Sequence, residues 1–298
     1  MAPIRIALPS KGRMAAGIRR LFGDAGMHLD DVDAESALLS TIDDRYDVMF
    51  VRAKDVPAFV ADGVADVGVT GWDLVRESQL PGSLLPASQS REPGAGLCDL
   101  LDLGLGRARL VVAAREAAGY TALADLPADI RVATTYPNLA RSFLRQRGLN
   151  VEIVALSGAT EIAPHLGLAD VIVDVVATGS TLKRNALVEL DTVLTSSARL
   201  VAPVRSAELE PLILLLDSVL QARANRYLMA NVPADALDRV AEILPGVGRP
   251  TVMPLLGTDS FFAVHAVVEE YGLDKVMAGL RELGGSGIVV TPIERLVR

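Results

Sequence analysis

EIAPHLGLADVIVDVVATGSTL, residues 161–182, decides how the rest of the chain is read. Within it, Val171 to Val176 is apolar on both faces, as strands of a buried parallel sheet are. The strand carries one acid, Asp174, which such a setting tolerates only where hydroxyls or other donors satisfy it. It then runs straight into Ala177-Thr178-Gly179-Ser180-Thr181, with small side chains, three hydroxyls and backbone N–H groups that a ligand can approach closely. That is the equipment of a phosphate nest, and Asp174 stands just upstream, where a ribose diol would follow. Each piece alone has a plainer reading, an ordinary turn or a helix cap. Together they read as a sugar-phosphate site.

Outward from this stretch the pattern alternates. Upstream, strand Ile4 to Leu8, a glycine-bearing loop, helix Met14 to Ala25, strand Asp47 to Val51, helix Val56 to Asp62 and strand Asp66 to Val69 form one α/β block. A second block comprises strands Arg109 to Ala113 and Arg131 to Thr134, helix Leu139 to Arg147, strand Glu152 to Leu156, helix Glu161 to Leu166 and the strand at 171–176. Between them Pro81 to Gly96, rich in Pro, Gly and Ser, reads as a mobile connection or a loop at a cleft edge. Leu187 to Ala202 reads as strand segments returning to the first block. The expected organisation is therefore a lobe I of residues 1–102 and 184–206, a lobe II of residues 103–183, and a two-segment hinge. Beyond a long helix, Glu208 to Ala224, the order becomes strand, helix, strand, strand, helix, strand, from Arg226 to Pro292. This βαββαβ order is ferredoxin-like and makes residues 207–298 a domain of their own.

Composition bounds the function. At 298 residues, half of them apolar, the chain can form two or three domains. Aromatics make up only 4%, which suits helices on parallel sheets. A net charge of −8 without a Lys/Arg block argues against nucleic acid. It leaves anionic small molecules open, because a cleft needs only local positive charge, and Lys11, Arg13, Arg52 and Lys54 follow early strands. With no long apolar run and no leader-like start, a cytoplasmic protein that engages no membrane is expected. Cys98 stands alone, which excludes an intrachain disulfide. His28, His165 and His265 lack metal-ligand spacing and read as exposed or hydrogen-bonded side chains.

Residues 161–182 resemble the signature of the ATP phosphoribosyltransferase family, E-x5-G-x-[SAG]-x2-[IV]-x-D-[LIV]-x2-[ST]-G-x-T-[LM]. Glu161, Gly167, Ala169, Ile172, Asp174, Val175, Thr178, Gly179, Thr181 and Leu182 fill its fixed positions. ALPSKGRM near the start, DVGVTGWDLV and VATTYPNLARSFL extend the resemblance over nearly the whole chain. It implies a two-lobed, periplasmic-binding-protein-like (type II) catalytic core with a C-terminal ferredoxin-like, ACT-like regulatory domain, as in the family's long form. It also implies the first step of histidine biosynthesis, in which ATP and phosphoribosyl pyrophosphate give phosphoribosyl-ATP and pyrophosphate. Histidine is the implied allosteric inhibitor, and dimers and hexamers of the chain are the implied assemblies. Magnesium is expected because a hard cation bridges the crowded phosphate oxygens of such substrates.

The resemblance also distributes roles. Glu161, Asp174, Ala177, Thr178, Gly179, Ser180 and Thr181 would bind phosphoribosyl pyrophosphate. Lys11, Arg13, Lys54, Asp73 and Tyr136 would meet ATP and pyrophosphate, with Lys11, Arg13 and Asp174 acting catalytically. Many family members read P-K-G-R where this chain has Pro9-Ser10-Lys11-Gly12-Arg13, which leaves the reach of Lys11 open. Three residues keep two readings each. Glu161 is a ligand contact or a helix N-terminal charge, Asp73 a substrate or metal contact or a helix cap, and Tyr136 a nucleotide-site wall or a packing tyrosine. Gly104-Leu105-Gly106-Arg107 resembles the family's adenine-side glycine loop. The rival readings are a two-lobed binding module, a catalytically silent relative, and prephenate dehydratase, whose Thr-Arg-Phe motif is absent.

Overall fold

Short crossover helices between apolar strands organise the amino-terminal part of the chain, whose computed structural model describes residues 2–29, 39–42, 44–80, 96–244 and 248–298. The proposed mobile segment Pro81 to Gly96 lies, but for Gly96, outside the described residues. The chain divides into two compact units, Met1–Gly23 with Met27–Ala207, and Glu208–Arg298 with Asp24–Gly26. No helix among the described residues is long and apolar enough to cross a membrane.

The first unit opens with β1 (Ile4–Pro9), α1 (Ala15–Asp24), β2 (Leu39–Ile42), β3 (Tyr46–Val51), α2 (Val56–Ala61), β4 (Val67–Gly71), α3 (Trp72–Gln79) and β5 (Cys98–Asp102). In α1, buried Ala15, Ile18, Leu21 and Phe22 recur at helical spacing, so one face packs and the other is solvated. A second series follows: β6 (Ala108–Arg115), β7 (Asp129–Thr134), α4 (Pro137–Arg145), β8 (Asn150–Ala155), β9 (Val171–Val176), α5 (Ser180–Arg184), β10 (Leu187–Ser196) and β11 (Ala198–Ala202). The strands form two sheets, β2-β3-β1-β4-β11-β5 and β10-β6-β9-β7-β8. In the first, β1 is parallel to β3 and β4; in the second, β7 is parallel to β8 and β9.

Two lobes joined by two crossing segments make the periplasmic-binding-protein-like arrangement. The chain crosses first through Leu103 to Arg107 and returns between β10 and β11, and the segments hydrogen-bond each other, Leu103 N–H to Ala198 O at 3.0 Å and Ala198 N–H to Leu105 O at 2.8 Å. Here the expected lobe boundary shifts. Residues 187–196 do not rejoin the first lobe but pair antiparallel with β6 in the second sheet, so the return falls at Ser196 to Ala198 rather than near residue 184. The glycine pair 104 and 106 also belongs to this hinge. Both have positive φ, 65° and 58°, and a Cβ on Gly106 would stand 2.4 Å from the Met14 side chain.

Two further expectations change. β9 is parallel to β7 but antiparallel to β6, so its sheet is mixed. An all-apolar strand reports burial on both faces, which a mixed sheet supplies equally well. Glu161 to Leu166 is not an α-helix: a 3-10 turn spans Thr160–Ile162, and irregular turns follow. Pro164 supplies no N–H there, and Gly167, at φ 70°, ends the segment.

In the second unit, α6 (Glu210–Arg223) precedes β12 (Asn225–Pro233), α7 (Leu237–Ile243), β13 (Thr251–Pro254), β14 (Phe261–Glu269), α8 (Leu273–Glu282) and β15 (Ser286–Pro292). The antiparallel sheet has the order β13-β14-β12-β15, which is the ferredoxin-like order. Leu228, Ala230 and Val232 alternate inward from β12 onto Val240 and Leu280 of the two helices.

Candidate active site

Every expected site segment of the first unit follows the C-terminal end of a parallel strand, where open α/β sheets bind ligands. Lys11 and Arg13 follow β1, Lys54 follows β3 and Asp73 follows β4, three strands that run in one direction. In the other lobe Tyr136 follows β7, Thr160 and Glu161 follow β8, and the 177–181 loop follows β9.

On the lobe II side, the strand forces Asp174 into partial burial beside fully buried Ile172 and Val173. Each such apolar side chain stabilises by about 1.5–3 kcal/mol, whereas an unsatisfied carboxylate would cost as much or more. Two donors satisfy it: the Thr160 hydroxyl donates to Oδ2, and Val175 N–H to Oδ1 at 2.7 Å. Burial pushes the Asp174 carboxyl above its usual range, the two donors oppose that, and the Glu161 charge adds to it. Thr160 is presented by Ala159, whose φ of 53° is left-handed, a conformation non-glycine residues rarely adopt. Glu161 lies in the 3-10 turn and not at an α-helix start, which removes its reading as an α-helical N-terminal charge.

Next along the chain, Gly179 adopts φ 77° between β9 and α5. A Cβ there would meet nothing within 4 Å, so backbone conformation, not space, calls for glycine. Ala177, Thr178, Ser180 and Thr181 are exposed. The Thr178 and Ser180 hydroxyls lie 3.1 Å apart.

The lobe I side is built differently. Asp73 is 2% exposed, and its carboxylate collects partners from across the cleft and from the hinge. Tyr136 OH donates to Oδ2 at 2.5 Å, the Ser196 hydroxyl donates to Oδ1, and Arg13 approaches to 4.0 Å. Asp73 does not cap α3. The N-cap is Gly71, without a side-chain bond, and Ser196 Oγ instead accepts Asp73 N–H at 3.0 Å. A Cβ on Gly71 would fall 2.3 Å from Asp73 Oδ1, so this glycine makes room for the carboxylate. Tyr136 is a packing tyrosine with a polar tip. Its ring is buried in the lobe II core with Leu110, Leu139 and Val173, so it does not stand open at the cleft mouth, yet its hydroxyl crosses to Asp73. Burial first, then the Asp73 charge, push the phenol pKa far up, with Arg13 opposing and Asp174 adding. Arg13, Asp73, Tyr136 and Asp174 thus share one electrostatic environment.

Lys11 and Lys54 stand exposed in their loops, outside this cluster. Sequence reasoning missed Thr160, Ser196 and Glu77. The spacing of Asp73 and Glu77, i and i+4 on one face of α3, was the available signal. Ser196 carried none, since its partner lies 123 positions away.

Comparison with known proteins identifies the family. Residues 52–222 match the family model described as ATP phosphoribosyltransferase, and residues 222–295 match HisG, C-terminal domain. An ATP phosphoribosyltransferase of Gemmatimonas aurantiaca is 48% identical over 99% of both chains. One from Methanococcus maripaludis is 40% identical over 99% of this chain and 100% of its own. Among solved structures, a chain of the ATP phosphoribosyl transferase (HisG:HisZ) complex from Thermotoga maritima aligns over 73% of this chain and 98% of its own, with a TM-score of 0.59 and 26% identity. With similarity running from end to end, the chain belongs to the ATP phosphoribosyltransferase family.

Proposed function

We propose that the chain catalyses the first step of histidine biosynthesis with the cleft residues in the following roles. The Thr178 to Thr181 loop, with Ala177, binds the 5′-phosphate of phosphoribosyl pyrophosphate, and Asp174 and Glu161 bind its ribose. Lys11, Arg13 and Lys54 receive pyrophosphate and the ATP phosphates, and Asp73 and Tyr136 form the buried wall of that side. The lone pair of adenine N1 attacks the anomeric carbon, and the carbon–oxygen bond to pyrophosphate breaks with its electron pair leaving on pyrophosphate. A ring nitrogen needs no deprotonation before attack, so positioning and charge carry the catalysis. In this reading Lys11, Arg13 and Asp174 act on that charge change. The observation that carries this reading is the Tyr136 hydroxyl of lobe II donating to Asp73 Oδ2 of lobe I at 2.5 Å beside Arg13, which joins the two strand edges.

Magnesium fits the donor set in a limited way. Among the described residues no three His, Cys, Asp or Glu side chains converge, so a protein cage is not offered. Glu161 adds to the upward push on the Asp174 carboxyl, and a hard cation held by both and by substrate oxygens would offset it. Bound there, it would neutralise the departing pyrophosphate.

The ferredoxin-like unit is, in the same reading, the regulatory domain that binds histidine, in a cytoplasmic homo-oligomer of dimers and hexamers. Its edge strand β13 is exposed along its whole length, with Val252 and Met253 at 45% and 42%. An uncovered apolar edge suits pairing with another subunit. The test is absorbance of phosphoribosyl-ATP with ATP, phosphoribosyl pyrophosphate, magnesium and pyrophosphatase, with and without histidine. Product that histidine suppresses is expected. Folded protein that yields none would overturn the catalytic reading, and product unaffected by histidine would overturn the regulatory one.

A further inference from the structure

We propose that Glu77 is a positioning residue that caps α4 of lobe II from lobe I and thereby sets Tyr136 on Asp73, beside Arg13. An α-helix begins with backbone N–H groups that lack partners within it, and a side chain at the N-cap normally takes one or two. In α4 the N-cap is Tyr136, whose side chain makes no capping bond. Pro137 has no N–H to satisfy, and Ala140 N–H bonds Tyr136 O at 3.0 Å. The two remaining donors, Asn138 N–H and Leu139 N–H, go to Glu77 Oε1 and Oε2, each at 2.8 Å.

The cap therefore belongs to the other lobe. It is bidentate and charge-assisted, the stronger kind of hydrogen bond, and the contact is reciprocal, since buried Asn138 returns its Nδ2 to Glu77 O at 3.3 Å. Arg141, one turn along α4, adds a favourable charge, although burial still raises the Glu77 carboxyl above its ordinary range. Separating the lobes would strip the first turn of α4 of its acceptors. The residue immediately before that turn is Tyr136, whose hydroxyl is held on Asp73. Asp73 and Glu77 stand one turn apart on α3, so the two bonds work as a pair: Glu77 fixes the helix and Asp73 receives the tyrosine. What Glu77 controls is the placement of the buried wall beside Arg13. The inference rests on the reading of Arg13 and Asp73 as the ATP and pyrophosphate side.

The test uses the full-length protein with Glu77→Ala and the isosteric Glu77→Gln, which keeps one acceptor. Hydrogen exchange at the Asn138 and Leu139 amides should accelerate at least about tenfold in Glu77→Ala and less in Glu77→Gln, while β7 amides keep wild-type protection. The KM for ATP should rise at least about fivefold with that for phosphoribosyl pyrophosphate within about twofold. Trp72, the only tryptophan, adjoins Asp73 and should change its emission. If Glu77→Ala does not fold, the glutamine variant decides. Unchanged protection of both amides, or equal changes in the two KM values, would overturn the proposal. Should the wild-type protein form no phosphoribosyl-ATP, the catalytic reading fails, and amide exchange alone still decides the cap.

Discussion

The two faces of the cleft handle their polar groups in opposite ways. The loop at residues 177–181 is exposed, and its hydroxyls meet little but each other. Around Asp73 the polar atoms of Tyr136 and Ser196 are buried and spent on a single carboxylate, with exposed Arg13 at its edge. An exposed nest is ready to receive an anion with little rearrangement. A buried cluster has to exchange an internal bond for each bond it makes to a ligand, so it suits holding a geometry. The difference fits the proposed reading, in which the 177–181 loop grips the 5′-phosphate and the Asp73 cluster holds the wall beside Arg13 in place.

Substitutions can break that contrast. The largest effect is expected for Asp174→Asn, where turnover should fall by about 100-fold or more, the size seen when a charge-stabilising group is removed. The same change should make the ligand-free protein more stable at neutral pH. The folded carboxyl titrates above its reference value of 3.8, chiefly through burial. The group's stabilising contribution is therefore complete below the unfolded pKa and is lost as pH rises through the folded one. At neutral pH its charge is a cost that asparagine removes. Melting temperatures should show the variant above wild type at about pH 7 and the gap closing toward about pH 4. Turnover within twofold of wild type would take Asp174 out of the site.

Thr178→Ala and Thr181→Ala come next. Each removes an exposed hydroxyl worth about 0.5–1.5 kcal/mol to a bound anion, or roughly two- to tenfold in the KM for phosphoribosyl pyrophosphate. The KM for ATP should stay nearly fixed, and parallel changes in both would point to a folding defect. Tyr136→Phe probes the other face. It should lower stability by about 1–2 kcal/mol in urea unfolding, because a buried acceptor loses its donor. No loss would mean that the tyrosine hydroxyl does not anchor the lobes. The smallest effect is predicted for Ala159→Gly, which relieves a left-handed alanine and should stabilise by up to about 1 kcal/mol. Destabilisation would show that the turn is held by something other than backbone preference.

The same contrast explains what could be read from the residues alone. The strand and exposed glycine turn at 171–181 are legible because they are contiguous: strand, acid, glycine and hydroxyls occur within a dozen positions. The ferredoxin-like order was legible because helix and strand periodicities alternate cleanly after residue 208. The Asp73 cluster was only half legible. TGWD marks a tight junction with an acid, and it suggests a cap as readily as a cleft contact. That Ser196 supplies the cap, and Tyr136 the partner, depends on pairings between residues 63 and 123 positions apart. The return of the chain to lobe I was misplaced for a related reason. β10 and β11 read as one stretch of strand character, and only their partners, β6 and β4, separate them. Glu161 to Leu166 failed locally, since the apolar spacing of a helix was interrupted by Pro164.

The most direct test of this division of labour is equilibrium binding of each substrate to wild type and to a Thr178→Ala, Thr181→Ala double variant. The account predicts at least about tenfold weaker phosphoribosyl pyrophosphate binding with ATP affinity unchanged. Equal affinity of both proteins for phosphoribosyl pyrophosphate would contradict it.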